Sequence, residues 1–239
     1  YRLAQVVLAG VQGSTDGWTG DVILREAYRR IGVDLVIRKV PGARAIRLTT
    51  VGRLDGEVQR IGAFKKAFPT LIQVRPAINF LEATVFSSSV KFDVEGWESL
   101  RSHRIGVVRG IKFAIDNTAG MRRYIANDYR SLFRMLNLGR LDVGVVPRIN
   151  GLWHQAWMKS DRILELQPPL MHLDLFHYLH EKHAALAPIL AAELSKMRRE
   201  GRLAAIREHV MTVLIELARN HRAICAKNYK CFEKGLPGR

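Results

Sequence analysis

Long apolar runs are missing from this chain. Nowhere in its 239 residues do about 18 apolar side chains follow one another, so no helix is expected to span a bilayer. The chain opens Tyr1-Arg2-Leu3 and passes straight into a strand-like pattern without the features of a signal peptide, which leaves export undecided from this end. Cysteine is almost absent as well. The two present, Cys225 and Cys231, sit in a basic C-terminal stretch. In an exported protein such a pair suggests a small disulfide loop. On one continuous helix their spacing would instead put them on nearly opposite faces. Both states stay open at this level. Zinc is not expected, because a structural site takes more ligands than these two and the nearby His221.

Enzymatic signatures are missing too. Ser87 to Ser89, eight histidines and many acids are present, but no Gly-x-Ser-x-Gly elbow and no His-Glu-x-x-His pattern occurs. His172, His177, His180 and His183 therefore read as packed or solvent-facing side chains. No catalytic residue, metal site or cofactor is expected. Acids are the scarce charge: 22 Asp and Glu stand against 38 Lys and Arg, a net charge of +16. Such an excess attracts anions, whether nucleic acid, an anionic membrane surface or an acidic small ligand. Here the cations are scattered rather than gathered on one helix or interleaved with stacking aromatics, so nucleic acid is not the expected partner. A hydrophobic content of 48% supports an ordinary globular core.

One phrase occurs twice. Gly52-Arg53-Leu54-Asp55 recurs as Gly139-Arg140-Leu141-Asp142, each after a helix-like stretch (45–51 and 131–138) with an arginine at the same offset, Arg47 and Arg134. Glycine supplies the left-handed residue that ends a helix, and a short strand-like run follows each copy. Around the first copy the pattern reads strand (3–8), helix (18–30), strand (33–40), helix (44–51) and strand. Around the second it reads strand (104–108), helix (111–117), weak strand (123–126), helix (128–138) and strand (141–146), then helix (150–159) and strand (162–166). Strands separated by helices predict parallel sheets. Short strand-like residues 71–74 precede a long extended stretch, 78–90. The Pro168-Pro169 pair predicts a break, with an extended run over 170–178. From Glu181 on, two amphipathic helices (181–199 and 203–218) flank Gly201, and a basic tail follows. The arrangement predicts two similar lobes with a functional site at the carboxyl ends of their strands.

Further residues carry a family resemblance. Ile23-Leu24-Arg25-Glu26-Ala27-Tyr28-Arg29-Arg30-Ile31-Gly32, Pro41 with Arg44, Gly52 to Glu57 with Arg60, and Pro69 to Val74 resemble the first lobe of a type II periplasmic solute-binding protein. Gly96-Trp97-Glu98-Ser99-Leu100 leading to Ile105-Gly106-Val107-Val108-Arg109-Gly110, and Met135-Leu136 to Asp142, resemble its second lobe. Ser99-Leu100 before a strand ending in Arg-Gly, and His177 to His183 before the last helices, are similar to the amino-acid-binding kind, family 3 of the extracellular solute-binding proteins. The resemblance spans residues 3 to 215. It implies an α/β protein of two lobes joined by a two-stranded hinge, lobe 1 from 1–84 and 175–218 with the C-terminal helices on it, lobe 2 from 85–174, and a tail from 219–239. It also implies a monomeric periplasmic protein that closes over a small solute for a membrane transporter of the ABC type. Two alternatives are the sensing domain of a receptor kinase or cyclase and a dehydratase-type enzyme, for which Glu57 is the candidate acid or base.

Candidate ligand-binding residues follow from this frame. In amino-acid binders a first-lobe arginine clamps the ligand carboxylate and a second-lobe acid takes its ammonium. Arg60 fits the clamp, since a guanidinium fork matches a carboxylate bidentately; its alternative is pairing with Glu57. At the corresponding place of the second lobe stand Pro147 and Arg148 rather than an acid, which favours an anionic ligand. Arg109 and Gly110 lie at a strand-to-helix turn suited to an anion, with Lys112 one position into the helix. Arg44 stands at the mouth of the second strand. Trp18 and Phe86 are candidates for stacking on an apolar part of the ligand, or for core packing.

Overall fold

The structure is a computed structural model and describes residues 5–222 and 230–236. Contacts divide the chain into two compact units. One comprises Tyr1–Phe80, Leu173–Val213 and Cys225–Arg239, the other Leu81–His172 and Leu214–Ile224.

In the first unit β1 (Val6–Val11) pairs in parallel with β2 (Leu35–Val40) and β3 (Gly56–Ile61). The last residues of β8 (Leu164–His180) run antiparallel to β3, giving the order β2-β1-β3-β8. Helices α1 (Gly17–Arg30) and α2 (Gly42–Thr50) join the parallel strands, and α3 (Phe64–Ala67) follows β3. The helical spacing of Ile23, Leu24, Ala27 and Tyr28 puts them on one stripe of α1, and all four are fully buried. The C-terminal helices α7 (Leu186–Arg199) and α8 (Arg202–Arg219) are tied to α1 by ions as well as by packing. Glu26 accepts from Arg30 at 2.7 Å and from Arg202 at 2.7 Å, while Arg30 also reaches Glu193 at 3.1 Å and Glu200 at 2.8 Å. Burial pushes the Glu26 carboxyl up, but the two guanidiniums outweigh it and hold it below the usual range.

The second unit has the order β4-β7-β5-β6. β5 (Ile105–Val108) is flanked in parallel by β6 (Arg123–Ala126) and β7 (Val143–Pro147), and the end of β4 (Leu71–Ser87) runs antiparallel to β7. Helices α4 (Lys112–Asn117), α5 (Tyr129–Asn137) and α6 (Arg148–Met158) surround them. Asp128 caps α5, its carboxylate accepting the Ser131 N–H at 2.7 Å.

The repeated phrase performs the same two tasks in each unit. Gly52 (φ 70°) and Gly139 (φ 67°) end α2 and α5 in the left-handed conformation. Behind them the Arg53 N–H donates to the Leu48 carbonyl at 2.9 Å and the Arg140 N–H to the Met135 carbonyl at 3.0 Å, closing the helix ends identically. Leu54 and Leu141 are both buried. The Asp55 carboxylate then accepts the Val7 N–H of β1 at 2.6 Å, and the Asp142 carboxylate accepts the Arg104 N–H just before β5 at 2.7 Å. Each aspartate thus ties down the first parallel strand of its unit, Asp55 within β1 and Asp142 at the residue just before β5.

Three expectations need correction. The first strand runs on to Val11 rather than ending at 8, because its register with Leu35–Val40 extends that far; residues 3 and 4 of the expected strand lie outside the described residues. Residues 71–87 form one strand where the sequence suggests two pieces. β8 likewise runs through Pro168-Pro169. Gln167 and Pro168 are exposed there, so a residue without an N–H costs the ladder little. In α9 (Lys230–Glu233) Phe232 is fully buried, its carbonyl bonded to His209 Nε2 at 3.0 Å. Cys231 is disulfide-bonded, and the sequence's other cysteine, Cys225, lies outside the described residues.

Candidate functional site

In the first unit the carboxyl ends of β1, β2 and β3 carry the polar residues. Glu57 and Arg60 are three apart, so on a regular strand they would point to opposite faces. Between them the pairing with β8 slips: Glu57 faces Tyr178 and Arg60 faces Phe176, three residues against two. That bulge turns Arg60 onto the face of Glu57. The Arg60 Nε and Nη2 groups donate to Glu57 Oε2 at 3.2 and 3.0 Å, and Nη2 approaches the Gly42 carbonyl at 3.5 Å. The guanidinium also lies 5.3 Å from the centre of the Phe64 ring. Among the described residues no hydrogen bond uses Nη1. Glu57 is wholly buried and takes the Thr49 hydroxyl on its other oxygen at 3.0 Å. Burial pushes its carboxyl up more than Arg60 and Thr49 draw it down.

Trp18, in the first turn of α1, packs its ring 5.4 Å from that of Phe232, and the Lys39 ammonium sits 4.8 Å from the indole centre. Lys39 also pairs with the buried Asp21 at 2.6 Å. Burial raises the Asp21 carboxyl despite that partner. Arg44 is exposed in the first turn of α2.

A second polar group gathers beside these. Gln59 Nε2 donates to Asp16 Oδ2 at 2.9 Å, and Asn79 Nδ2 donates to the Asp16 carbonyl and to Gln59 Oε1, both at 3.3 Å. Sequence reading missed Asp16, Asp21, Lys39, Gln59 and Asn79. Lys39 and Gln59 lie near the ends of β2 and β3, Asp16 just before α1, Asp21 within α1 and Asn79 in the middle of β4, so no single sequence signal joins them.

In the second unit Arg109 and Gly110 follow β5. The Arg109 N–H donates to the Ala126 carbonyl at 2.9 Å, its exposed guanidinium reaches Asn127 Oδ1 at 3.4 Å, and Gly110 has φ 87°. Lys112 pairs with Asp116 at 2.7 Å in full solvent, a contact worth little. Arg148 follows β7, and its Nε donates to Glu165 at 2.6 Å with Glu82 at 3.8 Å. The acid absent from β7 itself is thus supplied by two other strands, β4 and β8. Phe86 is fully buried in the core with Phe133, ring centres 5.6 Å apart, and its ring fills the space that a side chain at Gly151 would need.

In each unit, then, most candidate residues lie at or just beyond the carboxyl ends of parallel strands, the exceptions being Glu57 near the amino end of β3 and Phe86 in the core. Such carboxyl ends are where open α/β sheets bind ligands. No group of His, Cys, Asp or Glu able to hold a metal occurs among the described residues, and no described helix is long and apolar enough to cross a membrane.

No family model matches the chain. An uncharacterized protein of Shewanella oneidensis is 26% identical over 192 residues, covering 76% of this chain and 71% of that protein. Among solved structures, a histidine kinase sensor domain with similarity to periplasmic binding proteins gives a TM-score of 0.66 at 15% identity, over 87% of this chain and 96% of that one. The GluR0 ligand-binding core in complex with L-glutamate gives 0.67 at 12% identity, over 89% and 98%. The amino acid ABC transporter substrate-binding protein AbpA of Streptococcus pneumoniae, bound to L-arginine, gives 0.63 at 11% identity, over 89% and 96%. The chain has the two-lobed α/β fold of type II periplasmic binding proteins.

Proposed function

We propose that this chain is a non-enzymatic binding protein that captures a small, carboxylate-bearing polar solute and presents it to a membrane transporter. The observation that carries the reading is the setting of Arg60. Its guanidinium is held side-on by the buried Glu57, the Gly42 carbonyl and the Phe64 ring, and its Nη1 edge is left without a hydrogen bond among the described residues. Such a group binds a carboxylate without first having to be ordered, which is where preorganised sites gain affinity. Arg44 and Arg109 add exposed cations at strand ends. Glu57 serves here to orient Arg60, and that role replaces the acid or base an enzyme would require.

In the second unit Arg148 is paired with Glu165 and lies near Glu82, which also faces His172, so its charge is compensated within that unit. The disulfide at Cys231 supports an oxidising, extracytoplasmic setting. A second reading, ligand sensing for a membrane receptor, is favoured by the likeness to the histidine kinase sensor domain.

The test is a thermal-shift screen of carboxylates, amino acids, phosphates and polyamines on the wild type and Arg60→Ala. The expected result is stabilisation by a carboxylate-bearing compound that disappears in the variant and returns only weakly in Arg60→Lys, which lacks the planar fork. Stabilisation that survives Arg60→Ala would overturn the clamp, and a preference for polyamines would overturn the ligand class.

A further inference from the structure

Two arginines of the first unit converge on one cavity without an ion pair to a carboxylate among the described residues. Arg198, at the end of α7, and Arg207, in α8, line a cavity of about 180 Å³ together with Asn79, Phe80, Leu203 and Asp174. Arg207 donates through Nη1 to the Ile78 carbonyl at 3.2 Å, and its guanidinium lies 5.3 Å from the centre of the Phe80 ring. Among the described residues neither arginine has a carboxylate within ion-pair distance, although the fold elsewhere pairs Arg30, Arg60, Arg104, Arg148 and Arg202. Asp174 shares the wall but has an interaction of its own. Asn79 brings no donor, since its amide already serves Asp16 and Gln59.

A half-buried guanidinium without a counter-charge is costly, and a like charge beside it adds to the cost. Burial, and then Arg198, draw the Arg207 guanidinium below its ordinary range, as those two costs require. Among the described residues the donors Nε and Nη2 of Arg207 and the whole fork of Arg198 make no hydrogen bond, and both side chains line the cavity. An anion with several acceptor oxygens would satisfy them, whereas a chloride ion would use few. The volume holds one such head group and little more.

We infer that Arg198 and Arg207 form a second binding site, for a small oxoanion of the phosphate or sulfate kind, built on α7, α8 and β4 and separate from the Arg60 site. The flanking residues Phe80 and Asp174 lie where the chain passes from the first unit to the second and back. Occupancy would brace those two strands.

Titration of the intact protein with inorganic phosphate, against sodium chloride at matched ionic strength, tests this by thermal shift and calorimetry. A saturable rise with phosphate is expected, weakened at least about tenfold in Arg207→Gln, the loss of a charge-assisted hydrogen bond or more. Arg198→Gln, at an exposed position, should weaken it in the same direction while leaving the circular dichroism spectrum unchanged. Arg60→Ala should leave it intact, which separates this site from the ligand clamp. Vesicles containing phosphatidylglycerol distinguish a lipid head group from a free anion. Binding to vesicles that requires Arg198 assigns the head group, and phosphate binding alone assigns the free anion. Absence of saturable binding in both arms, or phosphate binding that Arg60→Ala removes and Arg198→Gln spares, would overturn the inference.

Discussion

At Arg60 and Glu57 the two possible truncations differ in what they strand. Arg60→Ala leaves a buried carboxylate without its cation, a loss of about 3–5 kcal/mol at neutral pH. Glu57→Gln leaves a partly exposed guanidinium and should cost less, about 1–3 kcal/mol. Burial already raises the Glu57 carboxyl in the folded state. Its contribution is therefore full below the ordinary carboxyl range and is lost as pH rises through the raised value. Removing Arg60 raises that value further, so the deficit of Arg60→Ala should shrink as the pH falls from 7.5 towards 5. Urea denaturation at the two pH values measures it, and an equal deficit at both would contradict the assignment. The histidines act with the other sign. His177, fully buried against the Tyr28 hydroxyl at 3.0 Å, and His154, stacked on Tyr129, are each lowered by burial to about 4. Their stability contribution is complete above the ordinary imidazole value and falls away as pH drops towards 4, at up to about 1.4 kcal/mol per pH unit for each. His154→Phe keeps the stacking and should reduce the slope of stability against pH between 6.5 and 4.5. The sequence carried both outcomes for Arg60, clamp or partner of Glu57, but not the bulge that makes them one arrangement. Asp16, Gln59 and Asn79 stayed hidden because their bonds join residues 43 and 63 apart.

Helix ends were the most legible elements. The two Gly-Arg-Leu-Asp copies carry a left-handed stop that depends on local sequence alone, followed by a carboxylate latch that reaches residues 48 and 38 positions away. Their difference is a matter of surroundings. An added side-chain carbon at Gly139 meets nothing within 4 Å, whereas at Gly52 it meets the His180 ring at 3.2 Å. Gly139→Ala should therefore cost only the left-handed backbone penalty, about 1–2 kcal/mol. Gly52→Ala should cost that and the displacement of His180, whose Nδ1 accepts the Lys182 N–H at 3.2 Å. Chemical denaturation of both variants compares them, and a smaller loss at Gly52 than at Gly139 would refute this account. Long strands were less legible than helix ends. Prolines suggested a break in β8 because a missing N–H is read from sequence without knowing that this part of the strand is exposed. β4 was divided in two because local pattern cannot tell one strand crossing a unit boundary from two shorter ones.

For the molecule as a whole, alternation of buried parallel strands with amphipathic helices was enough to give the fold class. Burial of both sheet faces leaves that signature in composition. The C-terminal segment left no such trace, because a single phenylalanine in a basic stretch has no period. Its partners, Trp18 and His209, lie in elements already complete without it. Yet Phe232 and Leu236 are buried, and Cys231 is covalently tied. If this segment is an integral part of the first unit, Phe232→Ala should cost about 3–5 kcal/mol, the usual loss for a buried phenylalanine. A flexible appendage would lose almost nothing. Reduction of the disulfide should act in the same direction, since it frees conformations of the unfolded chain that the bond forbids. Both changes should also shift indole emission through Trp18, whose ring then loses its aromatic neighbour. The chain has four tryptophans, so the Trp18→Phe variant supplies the reference. A Phe232→Ala protein with unchanged stability, and with emission differing from wild type no more in the presence of Trp18 than in its absence, would mean that the segment does not fold onto the first unit in solution.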